Sequence, residues 1–131
     1  MNVVLIEPGK KARIGVIGDS LSDMQEYVEG LIQAIYPFDD PDVALICNDE
    51  GKINGLELNR ALYDEDGKIY DIIAGKCFIC GCGEENFTSL TAEQMETYKR
   101  KFEQPENFFR LNGRIIAVKT EDKRQHHRMK P

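Results

Sequence analysis

The sequence predicts an α+β domain, a mostly antiparallel sheet packed by two helices. Three observations carry that expectation. Short apolar and β-branched runs recur along the chain, each closed by a turn signal. Only two segments combine helical length with apolar residues at steps of three and four. Just one of them separates strands early in the chain, too few for a doubly wound parallel sheet. At 131 residues the chain can build one core without metal or disulfide staples.

Asn2–Ile6 reads as a strand by its β-branched run. Pro8-Gly9 marks a turn, Arg13–Ile17 a second strand, and Gly18-Asp19 its end, so the chain opens on a hairpin. Ser20 then caps a helix, its hydroxyl placed for a free backbone N–H and Asp23 lying at the positive end of the helix dipole. Leu21, Met24, Tyr27, Val28, Leu31, Ile32 and Ile35 form one apolar stripe, predicting a helix that continues until Pro37 stops it.

Val43–Cys47 is a short apolar strand, and Asn48-Asp49-Glu50-Gly51 a turn. Leu56–Leu62 fits either a strand or a helical turn. Asp64-Glu65-Asp66-Gly67 is a hairpin turn ending in the favoured Asp-Gly pair. Lys68–Ile73 and Lys76–Cys82 are one long strand or two, broken at Gly75. The second helix has a capping box in Thr91 and Gln94, with Leu90 and Met95 placed as a hydrophobic staple. Met95, Tyr98 and Phe102 continue its apolar face, and Pro105 ends it. Phe108–Leu111 and Ile115–Val118 pair across Asn112-Gly113, a strong hairpin signal. The domain is expected to span 1–119, and the polar, basic segment 120–131 to be a flexible tail.

An apolar content of 41% with 31% charged residues suits a soluble domain. Nothing approaches the ~18 consecutive apolar residues of a membrane span. The opening MNVVLIEPGKK has too short an apolar run for a signal peptide and no basic residue before it. The expected location is therefore the cytoplasm, where the four cysteines stay reduced.

The net charge of −6 is unevenly spread. Residues 36–71 hold ten acids against three bases, while residues 113–131 hold six bases against two acids. That asymmetry points to an acidic face, in which Asp39, Asp40 and Asp42 are candidates for partner contact. The plainer reading is that Asp and Glu here furnish turns and solubility. A sequence pI near 5 disfavours nucleic acid as a partner.

Cys77-Phe78-Ile79-Cys80-Gly81-Cys82 invites a metal reading, with Cys47 as a fourth thiolate or His126 and His127 from the tail. There is no second CxxC, and Phe and Ile between the thiols favour a strand over a knuckle. In a strand Cys77 and Cys80 point to opposite faces, which leaves all three as small core residues. A nucleophilic role lacks a base, since the two histidines are adjacent in the tail.

Gly15–Ser20 precedes a helix but lacks both the P-loop lysine and the Gly-x-Gly-x-x-Gly spacing. Gly18-Asp19-Ser20-Leu21-Ser22 resembles the nucleophile block of GDSL-type esterases, yet no downstream Asp-x-x-His completes a triad. Neither Asp39-Asp40-Pro41-Asp42 nor Asp64-Glu65-Asp66-Gly67 has the spacing of an EF-hand. No catalytic residue and no cofactor is assigned. Arg60, set between apolar runs beside Asn59, is the remaining candidate. Its guanidinium suits a carboxylate or phosphate clamp, or a structural pair with Asp71 or Asp64.

The blocks Tyr36-Pro37-Phe38-Asp39-Asp40, Ala44–Lys52, Gly55-Leu56, Asn59-Arg60-Ala61-Leu62, Tyr70–Gly75 and Phe87-Thr88-Ser89-Leu90-Thr91 carry a resemblance. Together with Val3–Gly9 they resemble a family of unknown function from Gram-positive gut bacteria, their phages and their plasmids. The resemblance implies a mobile-element setting and apolar residues at the positions of Cys77, Cys80 and Cys82. It carries over no functional residue.

Two functions follow as expectations. One is a non-catalytic protein-binding module that modulates a host or defence protein through Asp39, Asp40, Asp42, Asn59 and Arg60. The other is a small-ligand or zinc site at Arg60 and its neighbours or at Cys47, Cys77, Cys80 and Cys82. The sequence leaves the oligomeric state open.

Overall fold

A computed structural model describes residues 1–122. It shows the expected α+β domain, its antiparallel strands packed by two helices.

The opening hairpin forms as expected from β1 (Asn2–Ile6) and β2 (Arg13–Val16). Ser20 caps α1 (Leu21–Val28), its Oγ accepting from the Asp23 N–H at 3.0 Å. The helix is half the expected length. Glu29 takes a left-handed φ of 66°, and the Gly30 N–H closes back on the Gln25 carbonyl. Ile32–Ile35, read as the last helical turns, is instead strand β3, antiparallel to β4 (Val43–Asn48). Its β-branched residues pair with a buried neighbour, and that tertiary gain outweighs the helical spacing.

The ambiguous segment is a strand, β5 (Leu58–Tyr63), paired with β6 (Ile69–Ala74). Gly75, at φ 84°, separates β6 from β7 (Cys77–Cys82). The two strands on either side of it belong to different sheets. A short strand β8 (Phe87–Thr88) precedes α2 (Ala92–Lys101), whose Thr91–Gln94 capping box is present in full. The last hairpin is β9 (Glu106–Leu111) and β10 (Arg114–Lys119), joined by Asn112-Gly113 with both residues at positive φ.

The main sheet runs β2-β1-β7-β4-β3, with β8 beside the end of β7, and every pair is antiparallel. Because β7 is central, both of its faces are covered. One face of the sheet packs against α1 through Met24 and Val28. The other packs against α2 through Tyr98 and Phe102, and against the β5–β6 hairpin through Leu62 and Ile73. The β9–β10 ribbon is a separate two-stranded sheet. Among the described residues no helix is long and apolar enough to cross a membrane.

Candidate functional site

Asn59 and Arg60, chosen for their polarity between apolar runs, are among the most buried side chains of the domain, at 0% and 1% exposure. A register shift between Leu58 and Arg60 makes this possible. Regular strand geometry would send two successive side chains to opposite faces; the bulge turns both inward. The Asn59 amide nitrogen donates to the carbonyls of Ile6 at 3.0 Å and Gly75 at 2.8 Å. Its Oδ1 accepts from Arg60 Nη1 at 3.0 Å.

The remaining Arg60 donors meet backbone oxygens. Nε and Nη2 fork onto the Phe102 carbonyl at 3.2 and 3.0 Å, Nη2 reaches the Lys10 carbonyl at 2.6 Å, and Nη1 also reaches the Asn59 carbonyl. The five N–H groups of a guanidinium are thus all engaged inside the fold. Phe102 caps the end of α2, so the cation sits at the negative end of a helix dipole. Burial pulls the guanidinium below its ordinary pKa, while Cys77, Glu106 and Asp122 act in the opposite direction. Neither acid named as a structural partner serves. Asp71 receives Lys52, and Asp64 accepts from the N–H groups of Asp66 and Lys68 in its own turn.

Asp39 and Asp42 are exposed in the β3–β4 loop, and Asp40 is half-buried. Asp40 ties the loop down: its carboxylate accepts from the Asp42 N–H at 2.9 Å and from the Gln94 side chain at 3.1 Å. Asp49 and Glu50 lie at the opposite end of β4. Six strand residues put about 20 Å between the two acidic loops. The run of acids from 36 to 71 is therefore split between the two ends of β4 and the separate β5–β6 hairpin, which carries Asp64, Glu65, Asp66 and Asp71.

The cysteines alternate across the main sheet. Cys47 and Cys77 lie in the α2-side core, Cys80 in the α1-side core, and Cys82 packs at the edge of the latter. Burial pushes the thiol of Cys47 up to about 11 and that of Cys80 up to about 12, and raises Cys77 and Cys82 as well. All four are free. Among the described residues no group of three or more His, Cys, Asp or Glu side chains gathers as a metal site would require. His126 and His127 lie outside the described residues. Ser20 serves as the α1 cap.

The features that remain open to a partner lie elsewhere. Period-two alternation sorts the β9–β10 ribbon into two faces. Phe108, Ala117 and Glu106 turn inward, with Glu106 Oε1 accepting from the Ala61 N–H at 3.1 Å. Phe109, Leu111, Ile116 and Val118 turn outward and are 38–57% exposed. Phe109 and Ile116 are directly opposed across the strands. Beside this ribbon, an open groove of about 620 Å³ runs between β6 and the start of β10. Leu58, Ile69, Ile72 and Ile115 supply its apolar lining, and Lys52, Lys68, Arg114 and Asp71 its charges. Tyr70 lines both this groove and a smaller cavity of about 250 Å³ that reaches Pro37 and Phe38. Sequence reasoning passed over these residues. Their signal was consecutive apolar residues, Phe108-Phe109 and Ile115-Ile116, on both faces of a two-stranded ribbon too thin to bury both.

The architecture defines a small α+β domain whose polar core residues are spent on its own backbone. The chain belongs to the family described as Domain of unknown function (DUF3846), whose sequence model matches residues 1–103. The match ends just after α2, before the β9–β10 ribbon. No curated protein matches the chain. No solved structure matches it either.

Proposed function

We propose that this protein is a non-catalytic protein-binding module whose contact surface is the outward face of the β9–β10 ribbon. The observation that carries this reading is the cross-strand cluster of Phe109, Leu111, Ile116 and Val118, exposed together on a sheet that pairs with no third strand among the described residues. A two-stranded ribbon gains little stability by itself in water, and contiguous apolar exposure on a small domain marks interaction surfaces. The ribbon follows the part of the chain matched to the family. On this reading it is the element that gives this member its partner.

The buried, protonated thiols and the fully bonded Arg60 favour a structural role for the residues that first invited chemistry. Asp39 and Asp42 are exposed on the loop that carries Phe38, and Phe38 lines a cavity that Glu106 and Lys119 of the ribbon also line. The setting we infer, from the sequence resemblance alone, is the cytoplasm of a bacterium carrying a phage or plasmid, with a host or defence protein as partner.

The test is crosslinked capture from host lysate with the wild-type chain and with Phe109→Ser/Ile116→Ser. Loss of a hot-spot side chain costs more than about 1 kcal/mol of binding, so the double variant should retain less than a tenth of the captured partner. Equal capture by both chains sinks the ribbon as the contact surface. A charge reversal at Asp39 and Asp42 that leaves capture unchanged removes the acidic loop from it.

A further inference from the structure

Resting on the binding-module reading, we infer that the groove between β6 and β10 receives an extended acidic segment of the partner protein. Its apolar side chains lie on Leu58, Ile69 and Ile115, and its carboxylates meet Lys68 and Arg114. Charge complementarity carries the assignment. The chain as a whole is acidic, with a net charge of −6. Yet among the described residues this groove holds three cations and one acid, and that acid, Asp71, is already engaged by Lys52. Lys68 and Arg114 have no ion-pair partner among the described residues. Two such cations beside an aliphatic floor suit a carboxylate between apolar side chains, and Arg can take it bidentately.

The dimensions agree. About 620 Å³ lies within the ordinary range of ligand-holding clefts. The stretch Ile69–Ile72 runs roughly 10 Å along one wall, the length of three or four extended residues. Strand addition to β6 itself is blocked at Ile72, whose N–H already donates to Asp71 Oδ1 at 2.8 Å. Recognition therefore falls to the side chains. The chain's own segment 123–131 is a poor occupant, because it carries Lys123, Arg124, Arg128 and Lys130 and no acid. Single-stranded nucleic acid needs aromatic stacking platforms, and among the described residues Tyr70 is the one aromatic side chain of the groove.

The experiment selects a randomised library of displayed eight-residue peptides on the full chain and, in parallel, on Lys68→Glu/Arg114→Glu. Both changes are at exposed positions, and matching thermal melts check that the variant folds. The expected result is enrichment of peptides with at least two carboxylates interleaved with Ile, Leu or Val. The best of them, synthesised, binds the variant at least tenfold more weakly. Three results overturn the proposal: no enrichment, enrichment without an acidic bias, or equal binding to both chains. A random-sequence oligonucleotide that binds the groove more tightly than the best peptide overturns it in favour of nucleic acid. Peptide-independent self-association that is lost in the variant overturns it in favour of a second copy of this chain. Lysate capture separates this proposal from the one beneath it. If Phe109→Ser/Ile116→Ser loses the partner and Lys68→Glu/Arg114→Glu keeps it, the groove assignment falls and the binding module stands.

Discussion

Arg60 Nη2 donates to the Lys10 carbonyl at 2.6 Å across fifty residues of sequence. Lys10 lies in the turn between β1 and β2, while the same guanidinium also holds the Phe102 carbonyl at the end of α2. One buried cation thus joins the opening hairpin, β5 and the second helix. A guanidinium suits that junction because its donors are planar, fixed and numerous.

Replacing Arg60 tests that junction directly. Arg60→Ala leaves the Lys10 and Phe102 carbonyls without this donor and opens a cavity. We expect a loss of about 3 kcal/mol or more, read as a lower midpoint in urea unfolding. Arg60→Lys should recover only a minor part, because one ammonium cannot span Lys10, Asn59 and Phe102. A Lys variant as stable as wild type would show that charge, and not the fork, is what the site needs.

Glu106 and Glu7 should impose opposite pH dependences. Burial raises the pKa of Glu106 above its ordinary 4.5, against the Ala61 N–H, Arg60 and Lys119, which lower it. The folded state then binds the proton more tightly than the unfolded chain, so stability falls as pH rises from 4.5 through the raised value. Glu7 is raised by burial but brought below 4.5 by the hydrogen bonds and charges of Arg13 and Lys10. Its contribution is present above 4.5 and is lost as pH falls through the lowered value. Chemical denaturation between pH 3 and 7 should show Glu106→Gln flattening the upper slope and Glu7→Gln the acid slope. Unchanged slopes in both variants would contradict the two environments.

The thiols should react in the order of their exposure. Cys82 is half-buried, whereas Cys47, Cys77 and Cys80 are buried and their thiolates suppressed. Under native conditions near pH 8, a thiol reagent should label Cys82 first. The other three should follow only as fast as the protein opens. Peptide mapping by mass spectrometry reads the order; rapid labelling of Cys77 would place it nearer solvent than its strand allows.

The early end of α1 predicts a stabilising substitution. Glu29 holds a left-handed conformation that glycine adopts without steric cost. Glu29→Gly should therefore raise stability by about 0.5–1 kcal/mol, seen as a higher urea midpoint with an unchanged slope. Gly30→Ala should do the reverse, because its Cβ would stand 2.6 Å from the Asn48 amide nitrogen. Asn48 is itself held by the Val28 carbonyl at 3.0 Å and cannot easily give way. A Gly30→Ala protein of wild-type stability would mean that this corner is loosely packed.

Local chemistry determined much of this protein from sequence alone. Thr91 with Gln94, Ser20 with Asp23, and Asn112-Gly113 each specify a cap or turn within four residues, and each forms as read. The alternation of Cys77 and Cys80 follows from strand pleat, which needs no knowledge of neighbours. The antiparallel α+β class rests on the same local signals. Tertiary structure decided what depends on distant backbone. Ile32–Ile35 carries a helical spacing, yet becomes a strand because Val43–Asn48 offers it a buried partner. Strands β6 and β7 part at Gly75 into different sheets, a choice set by what lies on either side of them. Asp39, Asp40 and Asp42 are close in sequence to Asp49 and Glu50, but β4 carries the two groups to opposite ends of the sheet. Arg60 looked like a clamp for a ligand because its five donors were visible in the sequence and their acceptors were not. Those acceptors are main-chain carbonyls, which every residue carries, so only the path of the chain could show which ones come within reach.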